Sequence, residues 1–473
     1  MGSLQFGMVG FDITPRLHPQ FGAWGTTAGL TKIDLPLLGR CVVLDQGGLR
    51  LIWFGMDLIG QTVSGTNKIR GELAEALGLK VSQIIWSTSQ THSSGALPGS
   101  NITGSSIADL SRQDSVFANV EHRRFSNRCI DAAQEAISRL QAVKISSGAG
   151  FCDSMCYNRR LPTAAGGVKF SRDYKEGIRN PKPFDTTIGL LRFENKQAET
   201  LGAIFNFGCH PATMIDDCYV SPDWVGTARQ YVQDAIGGAP AMFVQGFLGD
   251  VLCYHIFGGP AQAKQTGARL GQAAAKAMDT LVPVKGELLS HKVQAIDLPC
   301  RPMYGRRELD DELNMRHSFI KDLQRDPHLT WCGGINFPEQ FSAEQKSASV
   351  NLQIDYLEKG LEMLAVDQRP SPALSLALGV IRIGNLAAVY APGEIFTAVG
   401  MQIRHLSSFD HMLVCGDTNG LLGYIGNDEE IDRGGYETDT FWKMVSHDGF
   451  RLAPGKGTAD RIVKTSLELL ENG

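Results

Sequence analysis

Long apolar runs, basic clusters and closely spaced cysteine pairs are all missing from this chain of 473 residues, and each absence excludes a class of protein. No stretch approaches the roughly 20 apolar residues that cross a bilayer, so we expect no stable membrane anchor. The formal net charge is −5, without a cluster of Lys and Arg. Because phosphate binding depends on basic patches, we expect no nucleic acid among its partners.

The N-terminus and the cysteines predict the compartment. The first ten residues have neither the basic segment nor the long apolar segment of a secretory signal. The ten cysteines contain no Cys-x-x-Cys pair, so free thiols are the expected state. We therefore predict a cytoplasmic protein that acts on a small molecule. A homo-oligomer is compatible with this composition.

The pattern of apolar residues predicts a mixed α/β fold in one large domain over residues 1–473, with β-sheets flanked by helices and the active site at strand ends. Two strands flank a turn at Gln46-Gly47-Gly48, which predicts a hairpin. Residues 21–29 are a glycine-rich loop and 155–179 a long loop, and residues 300–370 are expected to be an inserted helical excursion. The predicted helices are 68–77, 124–140 and 263–281, and the predicted strands are 6–13, 41–45, 49–54, 187–193, 201–207, 242–244, 373–383 and 411–415.

Three short apolar runs each end in a polar segment. His92 follows the run 84–86, His210 follows 203–207, and Glu394 follows 386–390. Because ligands bind at the carboxyl ends of strands in open α/β sheets, we expect these side chains to form one site. Two imidazoles and a carboxylate suit zinc, although their spacing matches no compact zinc motif.

Four other residues are weaker candidates. Asp57 and Asp250 also follow predicted strands, and Arg159 and Arg160 lie in the long loop. An arginine pair at the surface is the ordinary interpretation. However, the guanidinium group also binds carboxylates or stabilises an oxyanion, so a role for Arg159 in catalysis and for Arg160 and Asp57 in substrate binding is predicted.

The order of the short motifs resembles the catalytic domain of neutral/alkaline ceramidases over nearly the whole chain. The motifs are Gly10-Phe11-Asp12-Ile13-Thr14-Pro15, Gln90-Thr91-His92-Ser93, Asn158-Arg159, His210-Pro211-Ala212-Thr213-Met214, Leu248-Gly249-Asp250-Val251, Pro392-Gly393-Glu394, and Asn427-Asp428-Glu429-Glu430 with Tyr436-Glu437. Members of this family are zinc amidases that cleave the fatty amide of ceramide. The resemblance implies zinc ligands at His210, Glu394 and Tyr424. It also implies an oxyanion-binding Arg159 and a site-lining Tyr436.

Three departures from the family pattern change the expectation. The family has a zinc histidine where this chain has Gln90, so His92 alone remains, in the position of acid–base chemistry. The family places a serine at the position of Leu252, which Cys253 follows. The chain ends soon after Leu469, without the immunoglobulin-like domain that the family carries there. We therefore expect a substrate more polar than ceramide.

Three hypotheses follow. The first is a zinc hydrolase of a small amide or ester, in which His210, Glu394 and Tyr424 hold the metal and Gln90 or His92 completes the ligand set, with proton transfer by His92 and oxyanion stabilisation by Arg159. In the second, His92, His210, Glu394, Asp250 and Tyr424 act directly as acid and base groups, without metal, on a glycoside or other carbohydrate derivative. The third is a silent binding protein, against which the cost of burying so many ionisable groups argues.

Overall fold

Helices and strands alternate along the chain, as the apolar pattern predicts. The computed structural model describes residues 2–17, 30–94, 115–215, 218–444 and 450–471, and the glycine-rich loop predicted at 21–29 lies outside them. The helices are α1 Val63–Leu77, α2 Ser115–Ser138, α3 Tyr174–Gly177, α4 Trp224–Ala235, α5 Gly259–Met278, α6 Arg306–Leu323, α7 Ala343–Ala365, α8 Thr397–Leu406, α9 Asp428–Arg433, α10 Phe441–Met444 and α11 Thr458–Glu471, with a 3₁₀ turn at Val81–Gln83 and a π-helical turn at Tyr436–Thr440.

The strands form several sheets, which confirms the mixed α/β prediction. They are β1 Gln5–Asp12, β2 Lys32–Ile33, β3 Leu38–Gln46, β4 Leu49–Met56, β5 Ile84–Thr88, β6 Gln141–Ala142, β7 Lys144–Phe151, β8 Cys156–Asn158, β9 Arg160–Pro162, β10 Val168–Phe170, β11 Thr187–Glu194, β12 Thr200–Phe207, β13 Tyr219–Val220, β14 Ala241–Gln245, β15 Val251–Cys253, β16 Val282–Pro283, β17 Leu289–Pro299, β18 Trp331–Cys332, β19 Ile335–Asn336, β20 Ala373–Ile383, β21 Leu386–Tyr390, β22 Glu394–Ile395, β23 His411–Cys415 and β24 Tyr424–Ile425.

Three sheets repeat one pattern, in which a hairpin is followed by a helix and by a strand parallel to the second strand of the hairpin. The units are β3-β4-α1-β5, β11-β12-α4-β14 and β20-β21-α8-β23. The first hairpin turns at Gly47 and Gly48, whose φ angles of 60° and 90° require glycine. Leu44, Ile204 and Leu413, one from each sheet, belong to the same buried core. The three sheets therefore pack their apolar faces together.

Gln245, the last residue of β14, joins the ends of the three units. Its side chain donates to the carbonyl groups of Ser89 at 2.7 Å and Cys209 at 3.0 Å, and accepts from the amides of Cys209 and Gly246. Its own carbonyl accepts from the amide of Gly416, which follows β23. The side chain is fully buried and completely hydrogen-bonded. The segments that follow β5, β12 and β23 are thus held side by side.

Most elements begin or end within a few residues of their predicted bounds, and one prediction was wrong. The long loop predicted at 155–179 contains β8, β9, β10 and the short helix α3. Its strands are only three residues long and pair with one another or with β15, so the segment shows no periodicity that a sequence pattern would reveal. The helical excursion at 300–370 is confirmed as α6 and α7 with the β18-β19 hairpin between them. All ten cysteines lie within the described residues, and none of them forms a disulfide.

No helix within the described ranges is long and apolar enough to cross a lipid bilayer.

Replacing Gln245 with leucine should lower the free energy of unfolding by roughly 3 kcal/mol or more, because several buried backbone groups would lose their partners. Gln230→Leu is the matched control, since Gln230 makes a single exposed bond to Asp234. Urea unfolding followed by tryptophan fluorescence would measure both variants. Equal stability of the two would contradict the role given to Gln245.

Candidate active site

The predicted site residues come together at the strand ends that Gln245 joins. Gln90 and His92 follow β5, and His210 follows β12. Glu394 and Tyr424 begin two short strands that pair in parallel, with these two residues opposite each other. The structure therefore brings residues that are more than 300 positions apart in sequence to one place.

His210, Glu394 and Tyr424 form the centre of this cluster. Nδ1 of His210 donates to the Val251 carbonyl at 2.7 Å, so Nε2 carries the lone pair. That Nε2 lies 3.0 Å from Oε2 of Glu394 and 3.4 Å from the Tyr424 hydroxyl. Burial lowers the pKa of His210 and raises the pKa values of Glu394 and Tyr424. Each group is therefore biased towards its neutral form.

Gln90 and His92 lie beside this centre. Gln90 has a φ of 65°, an uncommon backbone conformation for a residue with a side chain, and its side chain lies near enough to Glu394 to favour the charged form of that carboxyl. Nδ1 of His92 donates to the carbonyl of Gln90 at 3.0 Å, which leaves the lone pair on Nε2. Burial, assisted by the nearby His210, lowers the pKa of His92 to about 3. His92 is therefore neutral at pH 7.

Arg159 is held over the same centre by a buried network. Its Nε donates to Glu437 at 2.8 Å and its Nη2 to the Gly249 carbonyl at 2.8 Å, and its Nη1 lies 3.3 Å from Nε2 of His210. Burial opposes the charge of Arg159, but Tyr424 and Glu437 outweigh it and raise the pKa. Arg159 thus stays cationic in a site that excludes water.

A cleft opens onto this cluster. His92, Arg159, His210, Tyr424 and Tyr436 all line it. Tyr436 sits in the π-helical turn, an irregularity frequent at functional sites. The other walls are mostly apolar and come from β10, from the segment between β15 and α5, and from the helical excursion. They include Phe170, Ile256, Phe257, Ile335, Phe337 and Phe341.

Asp250 lies close to the cluster without lining the cleft. Its two carboxylate oxygens accept from the Thr397 amide at 2.8 Å and from the Asn158 side chain at 2.7 Å. Its backbone carbonyl accepts from the amide of Arg159. Asp250 thus positions Arg159, which lies between β8 and β9, and Thr397, the first residue of α8. Its role in catalysis stays a prediction.

The structure does not bring Arg160 or Asp57, the predicted substrate-binding residues, to the cleft. Arg160 is fully buried and donates to Glu430 at 2.6 Å and to Glu437. Asp57 forms a two-point ion pair with Arg229 at 2.8 and 2.7 Å and also accepts from the Leu38 amide. Both side chains are committed to internal contacts, which leaves them no face for a substrate.

The sequence motifs missed two groups near the cluster. Asp417 is buried with φ 44°, and neither carboxylate oxygen has a hydrogen-bond partner among the described residues. Burial and the neighbouring Glu394 raise its pKa well above the usual value. Arg172 lines the cleft. Two features of the sequence could have indicated these residues. One is the glycine- and aspartate-rich composition around Asp417, and the other is the unusual length of the 155–179 segment, which contains Arg172.

The donor atoms of this cluster fit a zinc ion. In the tautomer that Val251 imposes, His210 Nε2 and Glu394 Oε2 are both acceptors, so two acceptors 3.0 Å apart need a cation or a proton between them. The Gln90 amide oxygen is buried and has no hydrogen-bond partner within the part of the chain that the structure describes. The described residues contain no group of three or more His, Cys, Asp or Glu that could hold a metal. The set here is mixed, with one imidazole, one carboxylate, one phenol and one amide, and the amide is the weakest ligand.

Two solved structures share this architecture along almost the entire chain. The crystal structure of neutral ceramidase from Pseudomonas aeruginosa matches with a TM-score of 0.68 and 18% identity, covering 99% of this chain and 74% of that one. A ceramidase complexed with C2 matches with a TM-score of 0.70 and 18% identity, covering 99% and 75%. The fold is that of neutral ceramidase. No protein-family model and no curated protein sequence matches the chain.

The neutral ceramidase fold confirms the family resemblance that the collinear motifs indicate. Each motif is too short to be specific by itself. Their combination was informative because the fold brings the residues of several motifs together. At 18% identity the likeness establishes the architecture alone. The activity has to be argued from the site.

Replacing Asp57 with alanine should lower the free energy of unfolding by about 3–5 kcal/mol, because it leaves the charge of Arg229 buried and unpaired. Asp45→Ala is the control, since the Asp45–Arg50 pair is partly exposed and worth roughly 0–1 kcal/mol. Urea unfolding would compare them. A loss of stability no larger than that of the control would mean that Asp57 is available for another role.

Proposed function

We propose that this chain is a hydrolase that cleaves an amide or ester bond in a small molecule more polar than ceramide, with a zinc ion held by His210, Glu394, Tyr424 and Gln90. The observation that carries the proposal is the convergence of His210 Nε2, Glu394 Oε2 and the Tyr424 hydroxyl beside Arg159 and His92. The fold neighbours are ceramidases, which supports amide hydrolysis as the type of reaction.

The residues divide into three tasks. His210 is oriented by its bond to Val251, in the way that metal-binding histidines usually are. When bound, zinc polarises a scissile carbonyl and lowers the pKa of a water molecule to about 7. His92, neutral and with its lone pair on Nε2, accepts the proton of the attacking water and passes it to the leaving group.

Arg159 stabilises the negative charge that develops on the carbonyl oxygen. Glu437 and the Gly249 carbonyl occupy Nε and Nη2, which fixes the guanidinium plane and leaves Nη1 on the side of His210. A donor that is already oriented and shielded from water needs no reorganisation during the reaction. Loss of one such donor costs roughly 3 kcal/mol.

The alternative is a metal-free enzyme that acts on a glycoside or other carbohydrate derivative through carboxyl groups. One observation favours it. Asp417 and Glu394 are both buried and close enough for their charges to interact, and Asp417 has no hydrogen-bond partner among the described residues. Two carboxyl groups in one site suit general acid–base cleavage.

Metal analysis separates the two functions. Protein purified without added metal should hold about one zinc per chain if the donors form a catalytic site. His210→Ala and Glu394→Ala should reduce the zinc to a small fraction, whereas His291→Ala should retain it, because His291 bonds only to Tyr390 in the described structure. Full hydrolysis of p-nitrophenyl esters after exhaustive chelation would overturn the zinc proposal and favour the alternative.

The His92→Ala variant tests the proton-transfer role. Its kcat should fall by about 10²–10⁴, with zinc content unchanged, because His92 moves protons and holds no metal in the proposed scheme. The measurements are hydrolysis of p-nitrophenyl esters and N-acyl p-nitroanilides, together with metal analysis. His291→Ala, at a partly buried histidine outside the site, serves again as the control. Equal loss of zinc and activity in His92→Ala would make His92 a ligand instead.

A further inference from the structure

Arg172 occupies a distinctive position at the mouth of the cleft. It lies two residues beyond β10, and its guanidinium stacks on Phe170, with Cζ 4.4 Å from the ring centroid. Its Nη1 donates to the Asn336 carbonyl at 2.6 Å, and the Asn336 amide group donates back to the Phe170 carbonyl at 2.9 Å. Two chain segments far apart in sequence therefore hold Arg172 in place. Its side chain lines the same cleft as His92 and His210.

Arg172 has no ion-pair partner among the described residues. Arg159 pairs with Glu437, and Arg160 pairs with both Glu430 and Glu437. No carboxylate of the described residues lies within ion-pair distance of Arg172. Burial lowers its pKa to about 10 and Arg159 adds to this effect, although Tyr436 and the more distant Glu437 oppose it. A guanidinium lining a cleft without a counter-ion favours an anion arriving from outside.

Three acidic residues line the groove that leads out of the cleft, and none of them forms an ion pair with Arg172. Asp173 caps α3 by accepting from the Lys175 amide, and Glu176 pairs with Lys169 at 2.9 Å. Glu339 is exposed to solvent. These three carboxylates are thus engaged elsewhere or hydrated.

Apolar side chains line the cleft and the groove together with Arg172. Phe170, Ile256, Phe257 and Phe337 line both the cleft and the groove that leads out of it. An anion bound there would be shielded from water on several sides, which strengthens its interaction with the guanidinium. A substrate that fits this surface has an apolar arm next to an anionic group.

We propose that Arg172 binds a carboxylate of the substrate, so that the substrate class of the site is amides or esters that carry a carboxylate beside an apolar arm. The substrate role rests on the proposed hydrolase, whereas carboxylate binding at Arg172 does not. Because Nη1 is bonded to Asn336, the Nε and Nη2 edge is the one to receive the carboxylate, and two parallel N–H groups match its two oxygens. Arg172 is then the residue that determines specificity, distinct from Arg159, which acts on the reacting carbonyl.

Calorimetry with the full chain tests carboxylate binding without any turnover. The probes are 4-phenylbutyrate and its uncharged isostere 4-phenylbutyramide. The wild-type protein should bind the carboxylate at least about tenfold more tightly, as charge-assisted pairing predicts. Arg172→Gln should remove this preference and leave the affinity for the amide unchanged. Lys169→Gln is the matched control, because Lys169 is a neighbouring cation that already has its partner, and it should keep the wild-type preference.

Equal affinity of the wild-type protein for the two probes would overturn the proposal, and so would a preference that persists in Arg172→Gln. If Arg172→Gln fails to fold, Arg172→Lys takes its place. It keeps the charge but loses the two-point geometry, so its affinity for the carboxylate alone should fall several-fold. Hydrolysis of uncharged p-nitrophenyl esters is measured in parallel. Normal ester hydrolysis without a preference for the carboxylate probe would refute the role of Arg172 and support the hydrolase function. A preference for the carboxylate probe without hydrolysis would support the role of Arg172 and contradict the hydrolase function.

Discussion

The hydrogen bonds of the Gln245 side chain are the contacts on which the rest of the site depends. The three sheets also pack through their apolar faces, but apolar contacts are not directional and permit sliding. The amide group of Gln245 bonds to the segments after β5 and β12, and its backbone carbonyl bonds to the segment after β23. These bonds fix the relative height of three strand ends. They therefore determine whether His92, His210 and Glu394 share one site.

Several charged or polar side chains are buried around that junction, and they differ in whether their hydrogen-bonding groups have partners. Arg159, Arg160 and Glu437 form a fully satisfied network that holds one guanidinium above the centre of the site. Gln90 and Asp417, in contrast, each keep buried oxygen atoms without partners in the described structure. A buried oxygen without a hydrogen-bond partner lowers the stability of the fold. Two such residues beside Glu394 are therefore the feature that favours a functional site there.

The scaffold and the cleft walls have separate origins. The three repeated units supply His92, His210 and Glu394, whereas Phe170, Arg172, Phe337 and Phe341 come from the region after residue 155 and from the helical excursion. A fold of the ceramidase type can thus retain its centre while the walls change the molecule that fits. In the proposed zinc site Gln90 supplies an amide oxygen, which binds zinc more weakly than an imidazole does.

The sequence by itself determined the fold class, most of the helices and strands, the helical excursion and the positions of His92, His210 and Glu394 at strand ends, because these follow from local apolar periodicity. The collinear motifs extended the prediction to Arg159, Tyr424 and Tyr436. Only the tertiary structure decided that Asp57 and Arg160 are committed to internal ion pairs and that Asp417 and Arg172 stand at the site. The physical reason is that a charged side chain takes its role from its partners, and those partners lie as far as 277 residues away, as for Arg160 and Glu437. No local pattern encodes such a pairing.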